Sequence, residues 1–178
     1  MLTETLISIF LIGMSLVFHE MGHWVPLRLY NQKIDEFGVG FGPLLVSFGK
    51  FKVRMLPWGC YLNPSKDWES GISPKKQLVI VLGGPVANII YALALYAGAN
   101  SLESGGPGLK TLADLNILLA LFNLFPIPPL DGWGALVAIG KILGHPLEPS
   151  TIWLANKVGN GLVYGFGFLL LGLVLIPN

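Results

Sequence analysis

The sequence predicts an α-helical integral membrane protein with about four transmembrane helices and a membrane-associated, re-entrant β-hairpin between the first and second. The 178 residues are 53% hydrophobic and 12% charged, about half of the charged fraction that is usual in soluble domains. Four strongly apolar segments account for this composition, and basic residues concentrate in two of the connections between them. Both features are typical of a membrane-spanning bundle.

The four segments predict helices over about 6–29, 78–97, 111–143 and 158–176. About 20 helical residues cross a hydrocarbon layer of roughly 30 Å. The first, second and fourth segments each have the length of one such crossing. The third is broken at 126–129, where prolines cannot continue a helix. No linker or repeat divides the chain, so we expect one domain over residues 1–178.

The connection between the first two helices predicts a β-hairpin over 36–63. The stretch "KFKVRM" at 50–55 alternates basic and apolar side chains, which is typical of a strand with one wet and one apolar face. The tripeptide "FGK" at 48–50 indicates the turn. Because this segment is so apolar, we expect it to dip into the membrane, shielded by helices. The alternative is a hairpin on the cytosolic surface.

The distribution of basic residues predicts the orientation. Eight of the eleven lysines and arginines lie between the first and second segments, two lie between the third and fourth, and only Lys110 lies between the second and third. The positive-inside rule then places loops 30–76 and 141–157 in the cytosol and both termini outside. A net charge of +1 without a basic patch argues against nucleic-acid binding, and the single cysteine excludes an intramolecular disulfide.

The motif "FHEMGH" at 18–23 places ionisable residues in an otherwise apolar helix. His19 and His23 are four residues apart, so they share one helix face and can chelate one Zn²⁺. Glu20 can reach a water on that metal as general base, which is the zinc-hydrolase pattern HExxH. The alternative is that the histidines are hydrogen-bonded core residues. Charged residues at membrane depth are costly, which favours the metal.

A catalytic zinc site needs a third protein ligand, and the candidates are Asp114, Asp131 and His145. His19 lies toward the cytosolic end of its helix. Asp114 begins the third segment near the outer face, and His145 belongs to the cytosolic loop. Asp131 follows Lys110 by about 20 residues and reaches the depth of His19, so it is the predicted ligand. Its alternative role is that of a helix N-cap.

The motifs that contain these residues resemble those of the site-2 protease family of intramembrane zinc metalloproteases. The resemblance rests on "HEMGH", on "GGPVAN" at 83–88 and on "NLFPIPPLDG" at 123–132, in the family's order. It extends to "VGFGP" at 39–43 and "LPWGCYLN" at 56–63, which look like the family's re-entrant hairpin. The chain looks like a core-only member, without the PDZ or CBS domain of other members.

The resemblance implies one zinc ion per chain, held by His19, His23 and Asp131, with Glu20 as general base. It also implies polar residues near the scissile peptide, Asn88 and Asn123, whose alternative role is hydrogen bonding between helices. An opened substrate helix needs new backbone partners, which a strand edge can offer. The candidates for this pairing are the hairpin glycines Gly38, Gly40 and Gly42.

The expected function is zinc-dependent hydrolysis of peptide bonds in or near transmembrane segments of other membrane proteins. Such cleavage releases membrane-tethered regulators or clears signal-peptide remnants. Two alternatives stay open: a metal-ion transporter, and a scaffold that binds membrane helices without cutting them. Four spans without an inverted repeat argue against the transporter, and an intact Glu20 argues against the scaffold.

Overall fold

The computed structural model describes residues 2–65, 68, 69, 71–102 and 106–175, and within them it has five helices and one hairpin. The helices are α1 (Leu2–Leu29), α2 (Pro74–Asn100), α3 (Pro107–Asn123), α4 (Asp131–Ile142) and α5 (Pro149–Leu175). The antiparallel strands β1 (Ile34–Phe48) and β2 (Phe51–Pro64) lie between α1 and α2. A mostly helical fold with a hairpin after the first helix is therefore confirmed.

Several boundaries differ from the prediction by a few residues, and two differences are larger or have a clear physical reason. The third segment forms two separate helices, α3 and α4, because the prolines at 126–129 open the chain over 124–130. The last helix begins at Pro149 instead of residue 158, and proline suits the first turn of a helix. The predicted last residue of this segment, Ile176, lies outside the described residues.

Helix α2 is the one described helix that is long and apolar enough to cross a membrane. Large apolar side chains cover its outward face, whereas its inward face is mostly small or polar, with Ile80 as the large apolar exception. This arrangement is typical of a membrane helix that packs on other helices with one face and meets lipid with the other. The number of crossings stays a prediction. Exposed outward residues include Val79, Val86, Ile90 and Leu93; buried inward residues include Gln77, Gly84, Asn88 and Ala92.

Helix α2 is also the centre of the fold, since α1, α3 and α4 all pack against it. Helices α1 and α2 touch through their backbones at Gly22 and Gly83. A Cβ added to Gly22 would lie 2.1 Å from the carbonyl oxygen of Gly83, and one added to Gly83 would lie 2.0 Å from that of Gly22. Only glycine allows this approach, which holds the "HEMGH" turn directly against α2.

The hairpin turns at Gly49, whose φ of 60° is in the left-handed region. Residues 37–39 pair with two parts of β2, residues 51–53 and residues 60–62. A Cβ on Gly38 would lie 2.0 Å from the carbonyl oxygen of Lys52. Residues 60–62 have no further strand partner in the described part of the chain. Since β2 also packs against α1, this edge lies beside the "HEMGH" helix.

Candidate metal and catalytic centre

The three predicted metal ligands meet at one point of the structure. Helix α1 places the Nε2 atoms of His19 and His23 3.3 Å apart. Asp131 of α4 places Oδ2 3.1 Å from Nε2 of His19 and Oδ1 3.4 Å from Nε2 of His23. Residues more than 100 positions apart in the chain thus present ligand atoms to a common centre.

These separations fit a tetrahedral zinc site. Zinc binds histidine nitrogen and carboxylate oxygen at about 2.0–2.2 Å, so neighbouring ligand atoms of a tetrahedron lie about 3.3–3.5 Å apart. The Nε2–Nε2 separation of 3.3 Å agrees, and each carboxylate oxygen of Asp131 lies at a similar distance, 3.1 or 3.4 Å, from one of the two nitrogens. In addition, Oδ2 of Asp131 is buried and has no hydrogen-bond partner among the described residues. The residues present therefore fit a zinc ion.

The hydrogen bonds on the far side of each ring determine the histidine tautomers. Nδ1 of His23 lies 2.8 Å from the carbonyl oxygen of Ile80, and Nδ1 of His19 lies 2.6 Å from Oδ1 of Asn88. Both partners are acceptors, so each Nδ1 carries the proton and each neutral ring has a free lone pair at Nε2. Carbonyl and amide partners of this kind commonly orient metal-binding histidines.

A buried network fixes the Asn88 amide in this orientation. Its Nδ2 donates to Oδ1 of Asn116 at 2.9 Å and to the Ser15 carbonyl at 3.2 Å, so Oδ1 must be the atom that faces His19. Asn116 in turn donates to Oγ of Ser15 at 2.9 Å and to the Leu112 carbonyl at 2.8 Å. Both asparagines are completely buried.

Sequence reasoning missed Asn116 and Ser15. A signal existed for Asn116, because an asparagine within the apolar helix α3 needs a polar partner at membrane depth. Asn88 was predicted to contact substrate, and the structure places its amide behind His19. Its substrate role stays a prediction.

The assigned tautomers leave three electron-rich atoms facing one another. The Nε2 lone pairs of His19 and His23 and the carboxylate of Asp131 lie within 3.4 Å of one another. Without a cation or a proton between them, these atoms repel. The chemistry of the donor set therefore points to a bound divalent cation.

The start of α4 leaves the carboxylate of Asp131 free for this role. The N-cap residue is Leu130, no side-chain cap bond is formed, and Asp131 is the first helical residue. The preceding loop folds closely over the helix, because a Cβ on Gly132 would lie 2.1 Å from the carbonyl oxygen of Leu124. Glycine at position 132 thus lets the proline-rich loop aim Asp131 at the histidines.

Gly84 of "GGPVAN" closes the centre from the side of α2. A Cβ added there would lie 2.4 Å from Nε2 of His23 and 2.7 Å from Nε2 of His19. The two nitrogens that would bind metal are thus in contact with a backbone that tolerates no side chain. This contact explains why a glycine stands four residues before Asn88 on the same helix face.

Glu20 projects beside the ligands into a largely apolar groove of about 380 Å³. The groove lies between α1 and the hairpin. Its walls come from Val17, Met21 and Trp24 on one side, and from Phe37 and the 60–62 edge on the other. A half-buried acid in an apolar groove next to a metal centre can act on a water that enters there.

Of the remaining predicted site residues, Gly38 lines the groove beside Glu20. Asn123 is the last residue of α3, and its Nδ2 donates to the Leu119 carbonyl at 2.9 Å. Gly40 and Gly42 adopt φ values of 91° and 83° in the irregular part of β1. The predicted substrate roles of Asn123 and of Gly38, Gly40 and Gly42 stay predictions.

Comparisons with known proteins agree with this geometry. Residues 7–105 match the model of peptidase family M50. A Clostridium acetobutylicum protein assigned by name to the zinc metalloproteases is 33% identical over 168 residues, which is 88% of this chain and 48% of that protein. A zinc metalloprotease of Methanocaldococcus jannaschii is 30% identical over 173 residues, which is 93% of this chain and 44% of that protein.

A solved structure leads to the same family. The site-2 protease from Methanocaldococcus jannaschii superposes with a TM-score of 0.60 at 28% identity, covering 94% of this chain and 69% of that one. The chain spans about half the length of the curated relatives it matches. The family match over more than half of the chain, together with the His19–His23–Asp131 cluster, shows that this protein belongs to peptidase family M50, the site-2-type zinc metalloproteases.

Proposed function

We propose that this chain is an intramembrane zinc endopeptidase that cleaves peptide bonds in or near the transmembrane segments of other membrane proteins. The observation that carries this proposal is the cluster of His19, His23 and Asp131, whose ligand atoms lie within 4.8 Å of one another, next to the acid in an apolar groove. Release of membrane-tethered regulators or removal of signal-peptide remnants would be its biological uses.

In this proposal, Nε2 of His19, Nε2 of His23 and the carboxylate of Asp131 hold one zinc ion per chain. Three protein ligands and one open position are the arrangement of catalytic zinc sites. Zinc bound there would supply Lewis-acid chemistry for a peptide carbonyl and for water. The polar network of Asn88, Asn116 and Ser15 keeps His19 in the tautomer that binds metal.

Glu20 is the proposed general base. It follows His19 in the sequence, so its side chain projects about 100° around the helix from the ligand face, and it lines the groove. It accepts a proton from the attacking water and returns it to the nitrogen of the leaving amine. The apolar walls of the groove limit the access of bulk water.

The hairpin is the proposed partner of the opened substrate. A transmembrane helix shields its own carbonyls by internal hydrogen bonds, so cleavage requires a local extended stretch. The outer edge of residues 60–62 borders the groove and can bond such a stretch by β-augmentation. Gly38, Gly40 and Gly42 are proposed to support this pairing, Gly38 from within the sheet because it is paired on both sides. Asn123 is proposed to hydrogen-bond the substrate backbone.

The proposed orientation follows from charge. The end of α1 and the connection over residues 30–76 hold eight of the eleven basic residues, which favours a cytosolic position for them and the nearby site, with four crossings and both termini outside. The exposed apolar faces of α2 and α3 support a multi-pass arrangement. In this arrangement, the groove opens to lipid and to the cytosolic interface, from which substrate and water enter.

Replacing Asn88 with leucine should lower the affinity for zinc about 10- to 100-fold, the usual effect of losing an outer partner of a metal ligand. Without an acceptor at Nδ1, the His19 tautomer with its lone pair at Nε2 is no longer favoured. The measurement is competitive zinc titration together with the absorption spectrum of the Co²⁺-loaded protein. Asn100→Leu, in the same helix but exposed, should change neither. Unchanged zinc affinity in folded Asn88→Leu protein would show that the network does not serve the metal.

The proposed function is tested in vesicles that contain the purified chain and a labelled transmembrane substrate. We expect one zinc per chain, cleavage within the substrate helix, loss of cleavage on zinc removal by a chelator, and recovery on adding zinc. A zinc-sensitive dye inside the same vesicles tests the transporter alternative. Zinc influx without cleavage would favour the transporter, and stable substrate binding without cleavage by the zinc-loaded protein would favour the scaffold.

A further inference from the structure

A basic cavity of about 380 Å³ lies at the end of α1, next to the catalytic groove. Arg28, Lys33 and Lys50 line it, and none of its lining residues in the described part of the chain is acidic. Trp24 and Phe37 line both the cavity and the groove that contains Glu20. The two spaces are therefore neighbours along one face of α1.

The two acids that follow Ile34 in the sequence, Asp35 and Glu36, do not line this cavity. Glu36 is paired with Lys52 and Arg54, and these ionic hydrogen bonds hold the pKa of its carboxyl well below the usual value. Asp35 is exposed and does not line the cavity. The ammonium of Lys50 donates to the Ile34 carbonyl, which keeps it at the cavity wall.

The C-terminal carbonyl groups of α1 have hydrogen-bond partners other than the cations that line the cavity. Its last carbonyls accept backbone hydrogen bonds: the N–H of Tyr30 bonds the Pro26 oxygen at 2.9 Å, and the N–H of Gln32 bonds the Leu27 oxygen at 2.8 Å. The Arg28 guanidinium lines the cavity and lies 5.9 Å from the centre of the Trp24 ring, which borders both spaces. The cations that line the cavity therefore remain available to bind an anionic ligand.

The distance between the two spaces can be expressed in substrate residues. Arg28 follows Glu20 by eight helical residues, or about 12 Å along the helix axis. An extended peptide rises about 3.3 Å per residue, so about four residues cover this distance. Allowing for side-chain reach, a residue three to five positions from the scissile bond would lie at the cavity.

We propose that this cavity selects substrates with acidic side chains three to five residues from the scissile bond, on the flank that leaves the groove toward the cytosol. The inference rests on the proposed function and adds a substrate class to it: an apolar segment followed by aspartate or glutamate at the membrane surface. Arg28, Lys33 and Lys50 are the specificity-determining residues. An anionic lipid headgroup is the other candidate ligand, but the shared walls at Trp24 and Phe37 favour a chain that already occupies the groove.

The test uses three substrates that differ only in two flank residues, which are both Asp, both Asn or both Lys. Cleavage by the zinc-loaded chain is measured in uncharged phosphatidylcholine vesicles. We expect kcat/KM to be about fivefold higher for the Asp flank than for the Asn flank, with the Lys flank slowest, and the difference to shrink at high salt. In the variant Lys33→Glu/Lys50→Glu, the order should reverse.

A matched variant, Lys75→Glu/Lys110→Glu, makes the same charge change at exposed residues outside the cavity and should keep the Asp preference. Equal cleavage of all three substrates would overturn the inference and leave the proposed function intact. A rate that follows the vesicle content of phosphatidylglycerol, with no effect of the flank, would overturn it in favour of a lipid site.

Substrate affinity for Glu20→Gln protein provides a second readout that does not require turnover. A preference for the Asp flank in binding would support the inference even if the wild type failed to cleave. Equal affinities for the three flanks would refute it.

Discussion

Replacing Glu20 with glutamine should reduce cleavage of a transmembrane substrate by about 10²- to 10⁴-fold while one zinc stays bound per chain. The amide has nearly the shape of the carboxylate, so the groove and the ligand cluster are preserved. It cannot accept the proton of the attacking water or deliver it to the leaving amine. Elemental analysis of the folded protein gives the zinc content, and mass spectrometry of the substrate fragments gives the rate.

The control for this experiment is Glu148→Gln, the same change at an exposed residue at the start of α5. It should retain the wild-type rate. A Glu20→Gln protein that cleaves near the parental rate would show that another group is the base. Loss of zinc from this variant would instead make Glu20 part of the metal site, contrary to its position in the groove beside the ligands.

Two substitutions should abolish zinc binding by different physical routes. Asp131→Ala removes one of three ligands, so we expect the zinc affinity to fall by more than the roughly 100-fold that the loss of an outer partner costs. Gly84→Ala removes no ligand residue, but it adds a methyl carbon that would lie 2.4 Å from Nε2 of His23. This contact is far below the van der Waals distance, so the histidines must move apart. Competitive zinc titration of folded protein measures both effects.

Gly98→Ala is the matched control for the steric variant. Gly98 lies in the same helix, and its nearest neighbour would be 3.9 Å from the new Cβ. It should bind zinc like the wild type. Full zinc occupancy in the Asp131→Ala variant would exclude Asp131 as a ligand, and full occupancy in Gly84→Ala would show that α2 does not confine the histidines as closely as the structure indicates.

Much of the architecture could be predicted because the physical signals are local. Helical regions follow from apolar length, the break near Pro126 follows from the missing N–H and ring of proline, and the hairpin follows from the alternation in "KFKVRM". The helix boundaries were less certain. The early start of α5 at Pro149 was missed because its first turns are more polar than a membrane segment.

The sequence was also sufficient to predict the candidate metal ligands. His19 and His23 are related by helix geometry alone, and Asp131 could be chosen from three candidates by its depth in the membrane. Asn116 could not be assigned in this way. Its partners Asn88 and Ser15 are 28 and 101 residues distant, and only helix packing brings the three together.

The sequence by itself determined the class of protein, the helical segments and the residue types that can bind zinc, because each depends on composition or on spacing within one element. Only the tertiary structure decided which nitrogen of His19 faces His23 and Asp131, why Gly84 must lack a side chain, and where the groove meets a basic cavity. Those properties depend on distances of a few ångströms between elements, and no pattern within a single segment encodes such distances.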